Sequence, residues 1–143
     1  KYQRALTLFE LDEEKTVAQL SAGMRVKYLI ALALSHHAKL LILDEPTSGL
    51  DPVSRDDLLT LFKQLIQDGE RSILFSTHIT SDLEKCADAL TYIKEGSIIA
   101  NTEKTAFIKR FQTLKDHTSD PDLSLEDIMI RIERKNNAEN FDL

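Results

Sequence analysis

The sequence is poor in the residues that build disulfides, phosphate-binding loops and membrane spans. It has one cysteine, Cys86, no tryptophan and only four glycines among 143 residues. A single cysteine excludes an internal disulfide and fits a reducing compartment. None of the glycines lies in a G-x-x-x-x-G-K-[ST] pattern, so the sequence lacks the loop that cradles nucleotide phosphates. No apolar run reaches the roughly 20 residues of a membrane helix, so we expect no direct membrane insertion.

The charge balance is acidic. With 24 Asp and Glu against 18 Lys and Arg, the net charge is −6, which argues against nonspecific attraction to nucleic acid. A hydrophobic content of 42% with 29% charged residues is typical of a globular domain. The chain begins at Lys1, and its only methionines are Met24 and Met129. We therefore expect it to be a piece of a longer protein.

One short run carries most of the chemical information. Residues 40–43 are four consecutive aliphatics, and they end abruptly at Asp44 and Glu45. Such a run predicts a strand buried on both faces of a parallel sheet, and ligands of open α/β sheets collect at the carboxyl ends of such strands. The pair suits Mg²⁺ with substrate phosphates, plus an oriented water. The alternative is that Asp44 only caps the next segment and Glu45 is solvated.

Helical patterns flank this strand. Apolar spacing predicts a helix over residues 2–15. Ser21 is a good N-cap for a second helix ending near Ser35, which is apolar almost all round and is therefore expected to be buried on most sides. After the strand, Asp51 can cap a helix that has Pro52 at its first position and continues over residues 53–67.

A second apolar run, residues 72–76, predicts another buried strand that ends just before Thr77 and His78. Downstream we predict a short helix, a hairpin and two more helices, over residues 81–86, 89–100, 102–115 and from Ser124 onward. Ser124 and Asp127 form the capping-box pattern for the last of these. Strands separated by helices predict an α/β fold with a parallel core.

Four segments, in this order, resemble the signature elements of an ATP-binding cassette (ABC) ATPase. Residues 20–24 (Leu-Ser-Ala-Gly-Met) resemble the LSGGQ signature at the start of a helix, and residues 40–45 resemble the Walker B strand. Residues 48–51 (Ser-Gly-Leu-Asp) match the D-loop, and residues 76–78 (Ser-Thr-His) match the switch histidine. The resemblance covers roughly residues 1–100. It departs from the family at Ala22, which replaces a glycine, and at Met24, which replaces a glutamine.

The resemblance implies an α/β, P-loop NTPase-like (RecA-like) parallel sheet core flanked by helices, present here as a partial ABC domain without Walker A. Residues 1–38 would be a remnant of the helical subdomain with the signature, and residues 39–100 the core with Walker B, the D-loop and the switch histidine. Residues 101–143 would form a C-terminal helical extension.

The resemblance also implies roles for individual residues. Glu45 would polarise the attacking water, and His78 would donate a hydrogen bond to the γ-phosphate. Asp44 would hold Mg²⁺. The remaining nucleotide contacts would come from the signature and the D-loop: Ser21, Ala22, Gly23, Met24 and Asp51. The D-loop aspartate would lie at a dimer seam and couple two ATP sites.

The resemblance thus implies ATP and Mg²⁺ as cofactors. It also implies two kinds of partner: a second ABC ATPase domain, paired head to tail, and transmembrane transporter subunits. The parent protein would be a bacterial exporter-type ATPase, peripheral on the cytoplasmic face of the membrane, with no nucleic-acid partner. We expect the isolated chain to bind ATP weakly and not to hydrolyse it. Two alternatives are a non-transport ABC ATPase of the chromosome-structure or DNA-repair type, and a regulatory pseudo-ATPase.

Overall fold

The structure is a computed structural model that describes Leu6, Thr7, Phe9, residues 11–115 and residues 121–141, with residues 135–141 described by backbone alone. It divides into two compact units, Lys1–His78 and Ile79–Leu143. Every residue that the sequence assigns to the site lies in the first unit. The division near residue 100 that the family resemblance implies stays a prediction.

The first unit contains a two-stranded parallel sheet. Strand β1 (Leu40–Asp44) pairs with β2 (Ser72–Ser76), and helix α2 (Pro52–Ile66) lies between them in the chain. The register runs from Leu40 opposite Ser72 to Asp44 opposite Ser76. The predicted α/β arrangement with parallel strands is confirmed. Because the strands are parallel and in register, their carboxyl ends lie side by side.

Two capped helices accompany the sheet. Helix α1 (Ala22–Ser35) begins after Ser21, whose hydroxyl oxygen accepts a hydrogen bond from the Met24 N–H, and α2 begins after Asp51. Both predicted N-caps are confirmed. A 3-10 turn, Val17–Gln19, precedes α1. The buried apolar side chains of this unit are Leu6, Phe9, Leu11, Leu20, Ile30, Ala31, Leu41, Leu58, Leu59 and Phe62.

The prediction that both strands are buried on both faces is wrong. Leu41 is buried, but Ile42, Leu40 and Leu74 are 72%, 54% and 58% exposed. Burial alternates along each strand, as it does when only one face of a sheet is covered. One face of this two-stranded sheet is therefore exposed in the described part of the first unit.

Two helix predictions also need correction. In α1 only Ile30 and Ala31 are buried, while Leu29 is 57% exposed, so this helix is not buried on most sides. The helix predicted over residues 2–15 falls partly outside the described residues. Leu6 and Thr7 are helical, but residues 11–15 are not helical and contain a turn at residues 13–14.

The second unit contains helix α3 (Thr80–Cys86), an antiparallel hairpin and two further helices. The hairpin strands are β3 (Ala89–Lys94) and β4 (Ser97–Glu103), and the helices are α4 (Lys104–Phe111) and α5 (Leu125–Phe141). The predicted hairpin is confirmed, while the helix predicted over 102–115 starts two residues later and ends in a 3-10 turn, Gln112–Leu114. The buried cluster comprises Leu90, Tyr92, Ala100, Phe107, Leu123, Leu125, Ile128 and Ile132.

The predicted capping box at the start of α5 is also confirmed. The Asp127 N–H donates to the Ser124 hydroxyl oxygen at 3.1 Å, and the Ser124 N–H donates to Asp127 Oδ2 at 3.1 Å. These reciprocal bonds satisfy two donors that a helix start otherwise leaves unpaired.

Candidate functional site

The predicted carboxylate pair lies at the carboxyl end of the parallel sheet, beside the end of β2. Asp44 is the last residue of β1 and stands opposite Ser76 in the register. The Ser76 hydroxyl donates to Asp44 Oδ1 at 2.5 Å. Oδ2 of Asp44 makes no hydrogen bond within the described part of the chain, so one carboxylate oxygen is held by the neighbouring strand while the other faces away from that bond.

Glu45 turns sharply away from the strand. Its backbone has a φ of 44°, in the left-handed region that costs an L-residue roughly 1–2 kcal/mol. The strain is offset in part because its N–H donates to the Ser76 carbonyl oxygen and to the Ser76 hydroxyl oxygen, both at 3.1 Å. Strained residues held by surrounding bonds concentrate at functional sites.

The turn brings the Glu45 side chain to His78. Glu45 Oε1 lies 2.8 Å from His78 Nδ1, while Glu45 Oε2 is out of contact with solvent and has no hydrogen-bond partner among the described residues. A buried carboxylate oxygen without a partner requires an explanation, since such groups are normally satisfied. It is an acceptor that a water or a hydroxyl on a bound ligand can use. The imidazole is 75% exposed, which leaves its other nitrogen accessible to a ligand.

The signature residues form the start of α1. Ser21 has its hydroxyl oxygen engaged as the N-cap of the helix, and no acidic residue stands in the first turn. Helix N-termini carry unpaired N–H groups and a positive dipole end, so this terminus suits an anion. Ala22 and Met24 occupy the first and third helical positions and leave that backbone intact.

Gly23 lies against the start of α2. A Cβ built on it would stand 3.5 Å from the Ser54 Cβ and 3.6 Å from the Leu50 Cδ2, which are ordinary van der Waals distances. The two helix starts therefore pack closely at this point. Within the first unit a side chain as small as alanine fits there, so the packing of this unit does not itself require a glycine.

Asp51 is occupied as the N-cap of α2. Its Oδ1 accepts hydrogen bonds from the N–H groups of Val53, at 3.1 Å, and Ser54, at 3.0 Å. A hydrogen bond from the Ser54 side chain, and a weaker effect of the one from the Ser54 backbone N–H, hold the pKa of the Asp51 carboxyl below its usual 3.8. This aspartate is therefore ionised as well as fixed, and it presents a negative charge at the start of α2.

The predicted site residues thus fall into two groups. Asp44, Glu45 and His78 meet at the carboxyl end of the sheet, while the signature residues and Asp51 mark the adjacent starts of α1 and α2. The sequence motifs assign Ser76 no role of its own, although the structure places its side chain between both carboxylate residues. Its position at the end of the second strand is the signal in the sequence that identifies it.

The donor set fits Mg²⁺ only as part of a shared site. No cluster of three or more His, Cys, Asp or Glu side chains that could hold a metal occurs among the described residues. Mg²⁺ commonly takes one or two carboxylates and completes its shell with waters and substrate phosphates. The exposed carboxylate of Asp44 matches that requirement, whereas a metal bound wholly by protein side chains does not match the described residues.

Comparison with known proteins identifies relatives of this chain. A family model described as "AAA domain, putative AbiEii toxin, Type IV TA system" matches residues 6–81. The lantibiotic transport ATP-binding protein SrtF of Streptococcus pyogenes is 41% identical over 91 residues, which are 64% of this chain and 39% of that protein. The bacitracin transport ATP-binding protein BcrA of Bacillus licheniformis is 39% identical over 88 residues, 62% of this chain and 29% of that protein. The chain therefore spans less than half the length of these curated relatives.

Solved structures share the fold. A "putative metal-chelate type ABC transporter" in an inward-facing conformation superposes with a TM-score of 0.67 and 29% identity, covering 73% of this chain and 42% of that one. A dimeric post-hydrolysis state of the cassette MJ0796, bound to ADP and Pi, gives a TM-score of 0.60 at 24% identity over 71% of this chain and 44% of that one. In the described residues no helix combines the length and the hydropathy needed to cross a membrane.

Proposed function

The chain belongs to the AAA-type domain family that its residues 6–81 match and, by its curated relatives, to the ABC ATPases, and on that premise we propose that it is the C-terminal portion of an ATP-hydrolysing transporter subunit. The reaction is hydrolysis of the terminal phosphate of ATP, coupled to export of a substrate across the cytoplasmic membrane. The transport names of the relatives favour this function over a chromosome-structure or DNA-repair ATPase.

The contact between Glu45 and His78 carries the proposal. Glu45 Oε2 has no partner among the described residues, so it is an acceptor for the proton of an attacking water. Oε1 is held by His78 Nδ1, which fixes the direction in which the carboxylate points. The presence of both Glu45 and His78 at the carboxyl end of the sheet also argues against a regulatory pseudo-ATPase.

His78 stabilises charge on the departing γ-phosphate. A ring that donates from Nδ1 to Glu45 can donate from Nε2 as well only in its protonated form, because a neutral imidazole carries one N–H. The exposed Nε2–H is then a donor for a phosphate oxygen, which is the place where donors lower a phosphoryl-transfer barrier.

Asp44 would hold Mg²⁺ beside the phosphates of bound ATP. The metal supplies charge neutralisation on the phosphate oxygens when it is bound. The protein's part is to present Asp44 Oδ2 in a fixed direction, with Oδ1 anchored by Ser76.

The start of α1 binds phosphate of a second nucleotide. Ser21, Ala22, Gly23 and Met24 form the positive dipole end of this helix, and N–H groups other than that of Met24, which donates to the Ser21 hydroxyl, are the donors for phosphate. The absence of acidic residues in the first turn supports anion binding. By its resemblance to ABC ATPases, which pair head to tail, this nucleotide would lie on the phosphate-cradling loop of a second ABC domain. Asp51, fixed and ionised beside the same helix start, couples the two sites across that pair.

The remaining assignments follow from the family. Residues 1–38 belong to the helical subdomain, residues 39–100 to the catalytic core and residues 101–143 to a C-terminal extension. The partners are a second ABC ATPase domain and transmembrane subunits, and the protein is peripheral on the cytoplasmic face of the membrane. The names of the relatives support the transporter partners, and the dimeric cassette structure supports pairing.

Steady-state ATP hydrolysis by the whole protein that contains this chain tests the proposal. His78→Ala removes one donor to the transition state and is expected to lower kcat by about 100-fold or more. His36→Ala, which changes an exposed histidine at the end of α1, is the matched control and should keep the wild-type rate. Equal rates for the two variants would contradict the proposed role of His78.

A further inference from the structure

The Ser76 side chain connects the two carboxylate residues. Its hydroxyl oxygen accepts the Glu45 N–H at 3.1 Å, and its hydroxyl hydrogen is donated to Asp44 Oδ1 at 2.5 Å. A serine hydroxyl has one hydrogen to donate and two lone pairs to accept with. Because an ionised carboxylate can only accept, the direction of this chain of bonds is fixed: Glu45 donates to Ser76, and Ser76 donates to Asp44.

We propose that Ser76 is a positioning residue whose hydroxyl holds the Asp44 carboxylate in one orientation and links it to the turn that aims Glu45. The effect on metal binding rests on the proposed function, whereas the hydrogen bond from Ser76 that orients Asp44 is independent of that function. Ser76 itself touches no substrate. It acts through Asp44.

The need for such a residue follows from exposure. Asp44 lies at an exposed strand end, where an aspartate side chain is otherwise free to sample several χ1 rotamers. The only hydrogen bond that the described residues give its carboxylate is the one from Ser76. The donated Glu45 N–H also polarises the hydroxyl, which strengthens its own donation to Asp44. The orientation of Asp44 therefore depends on one side chain.

Removing the Ser76 hydroxyl affects the orientation of Asp44 without removing the backbone bond that holds the turn at Glu45. In Ser76→Ala the Glu45 N–H keeps its bond to the carbonyl oxygen of residue 76, so the turn at Glu45 retains a partner. The bond to Asp44 has no such substitute. Ser76→Thr restores a hydroxyl on the same Cβ, and a β-branched residue suits a strand. The alanine variant thus affects Asp44 selectively, and the threonine variant should rescue it.

An oriented carboxylate is a better metal ligand than a rotating one. Partners that hydrogen-bond a metal-ligating side chain commonly contribute 10–100-fold to metal affinity. Because Ser76 and Asp44 are exposed and water competes for the same bond, we expect the lower end, about tenfold weaker binding after loss of the hydroxyl.

Nuclear magnetic resonance on the 143-residue chain tests the proposal. The couplings of the Asp44 Hβ protons to its Hα and amide nitrogen should show one χ1 rotamer in wild type and in Ser76→Thr, and averaged rotamers in Ser76→Ala. Ser72→Ala removes an exposed hydroxyl at the opposite end of the same strand and should leave the Asp44 couplings unchanged. The same couplings in Ser76→Ala as in wild type, or averaged couplings already in wild type, would overturn the positioning role.

Titration of the whole protein that contains this chain with Mn²⁺, in the presence of a non-hydrolysable ATP analogue whose phosphates complete the metal shell, provides the second readout. Paramagnetic broadening at Asp44 should need about tenfold more Mn²⁺ in Ser76→Ala than in wild type or Ser76→Thr. Equal or tighter binding by Ser76→Ala would overturn the metal-orienting role. A single Asp44 rotamer without broadening at Asp44 in wild type would leave the positioning role standing and would instead overturn the assignment of Asp44 as a metal ligand.

Discussion

Nδ1 of His78 lies 2.8 Å from Oε1 of Glu45, although 33 positions separate the two residues in the chain. The contact forms because β1 and β2 are parallel and in register, so the residues just beyond Asp44 and Ser76 leave the sheet at the same edge. The left-handed turn at Glu45 then directs its side chain toward the neighbouring strand end. The pair is therefore a property of the strand register rather than of local sequence.

The isolated chain is expected to show no Glu45-dependent ATP hydrolysis. It contains the acid and the histidine, but none of its glycines lies in a loop that cradles phosphates, so the γ-phosphate is not held against Glu45. Phosphate release from Mg-ATP, measured for the purified 143-residue chain and for Glu45→Gln, checks this. Faster release by wild type than by Glu45→Gln would contradict the prediction.

Asp51 is expected to make the stability of the first unit depend on acid pH. Its folded pKa is lower than its unfolded value of 3.8, so its contribution is present above that value and is lost as pH falls through the folded pKa. Asp51→Asn keeps a good N-cap but has no charge to titrate. The melting temperature of this variant should fall less steeply than that of wild type below about pH 4. If the melting temperatures of the two proteins fell equally steeply across that pH range, the stabilising role of an ionised Asp51 cap would be contradicted.

Gly23→Ala is expected to leave the chain as stable as wild type, or to stabilise it by up to about 1 kcal/mol. The added Cβ meets Ser54 and Leu50 at ordinary contact distances, and alanine is the better helix former. Gly69→Ala is the control, because Gly69 has a φ of 72° and alanine is strained there. Urea denaturation should therefore give an unchanged or higher free energy of unfolding for Gly23→Ala and a lower one for Gly69→Ala. Destabilisation by Gly23→Ala as large as that by Gly69→Ala would refute this packing.

Two neighbouring residues of β1 are expected to respond very differently to substitution. Leu41 is buried, so Leu41→Ala should lower the free energy of unfolding by about 2–5 kcal/mol. Ile42 is on the exposed face, so Ile42→Thr, which keeps the β-branch, should change it by less than about 0.5 kcal/mol. Urea denaturation of both variants measures the difference. Similar losses in both would show that the second face of the sheet is also covered.

The sequence predicts more of the site than of the packing. The apolar runs identify β1 and β2, and the caps at Ser21 and Asp51 are local patterns that follow from side-chain chemistry. The exposure of Ile42 could not be predicted, because a run of aliphatics indicates burial on both faces without saying whether this chain supplies the covering residues. The left-handed Glu45 and the bridging hydroxyl of Ser76 depend on strand register, which a single sequence does not specify.

Steady-state ATP hydrolysis by the whole protein that contains this chain tests whether Glu45 activates the attacking water. Glu45→Gln keeps the size of the side chain but removes its basicity, while Glu70→Gln makes the same change at an exposed position outside the site. Glu45→Gln is expected to bind ATP but to hydrolyse it at least about 100-fold more slowly, since general bases contribute about 10²–10⁴-fold, and Glu70→Gln is expected to match wild type. Hydrolysis by Glu45→Gln at the wild-type rate would contradict this role of Glu45.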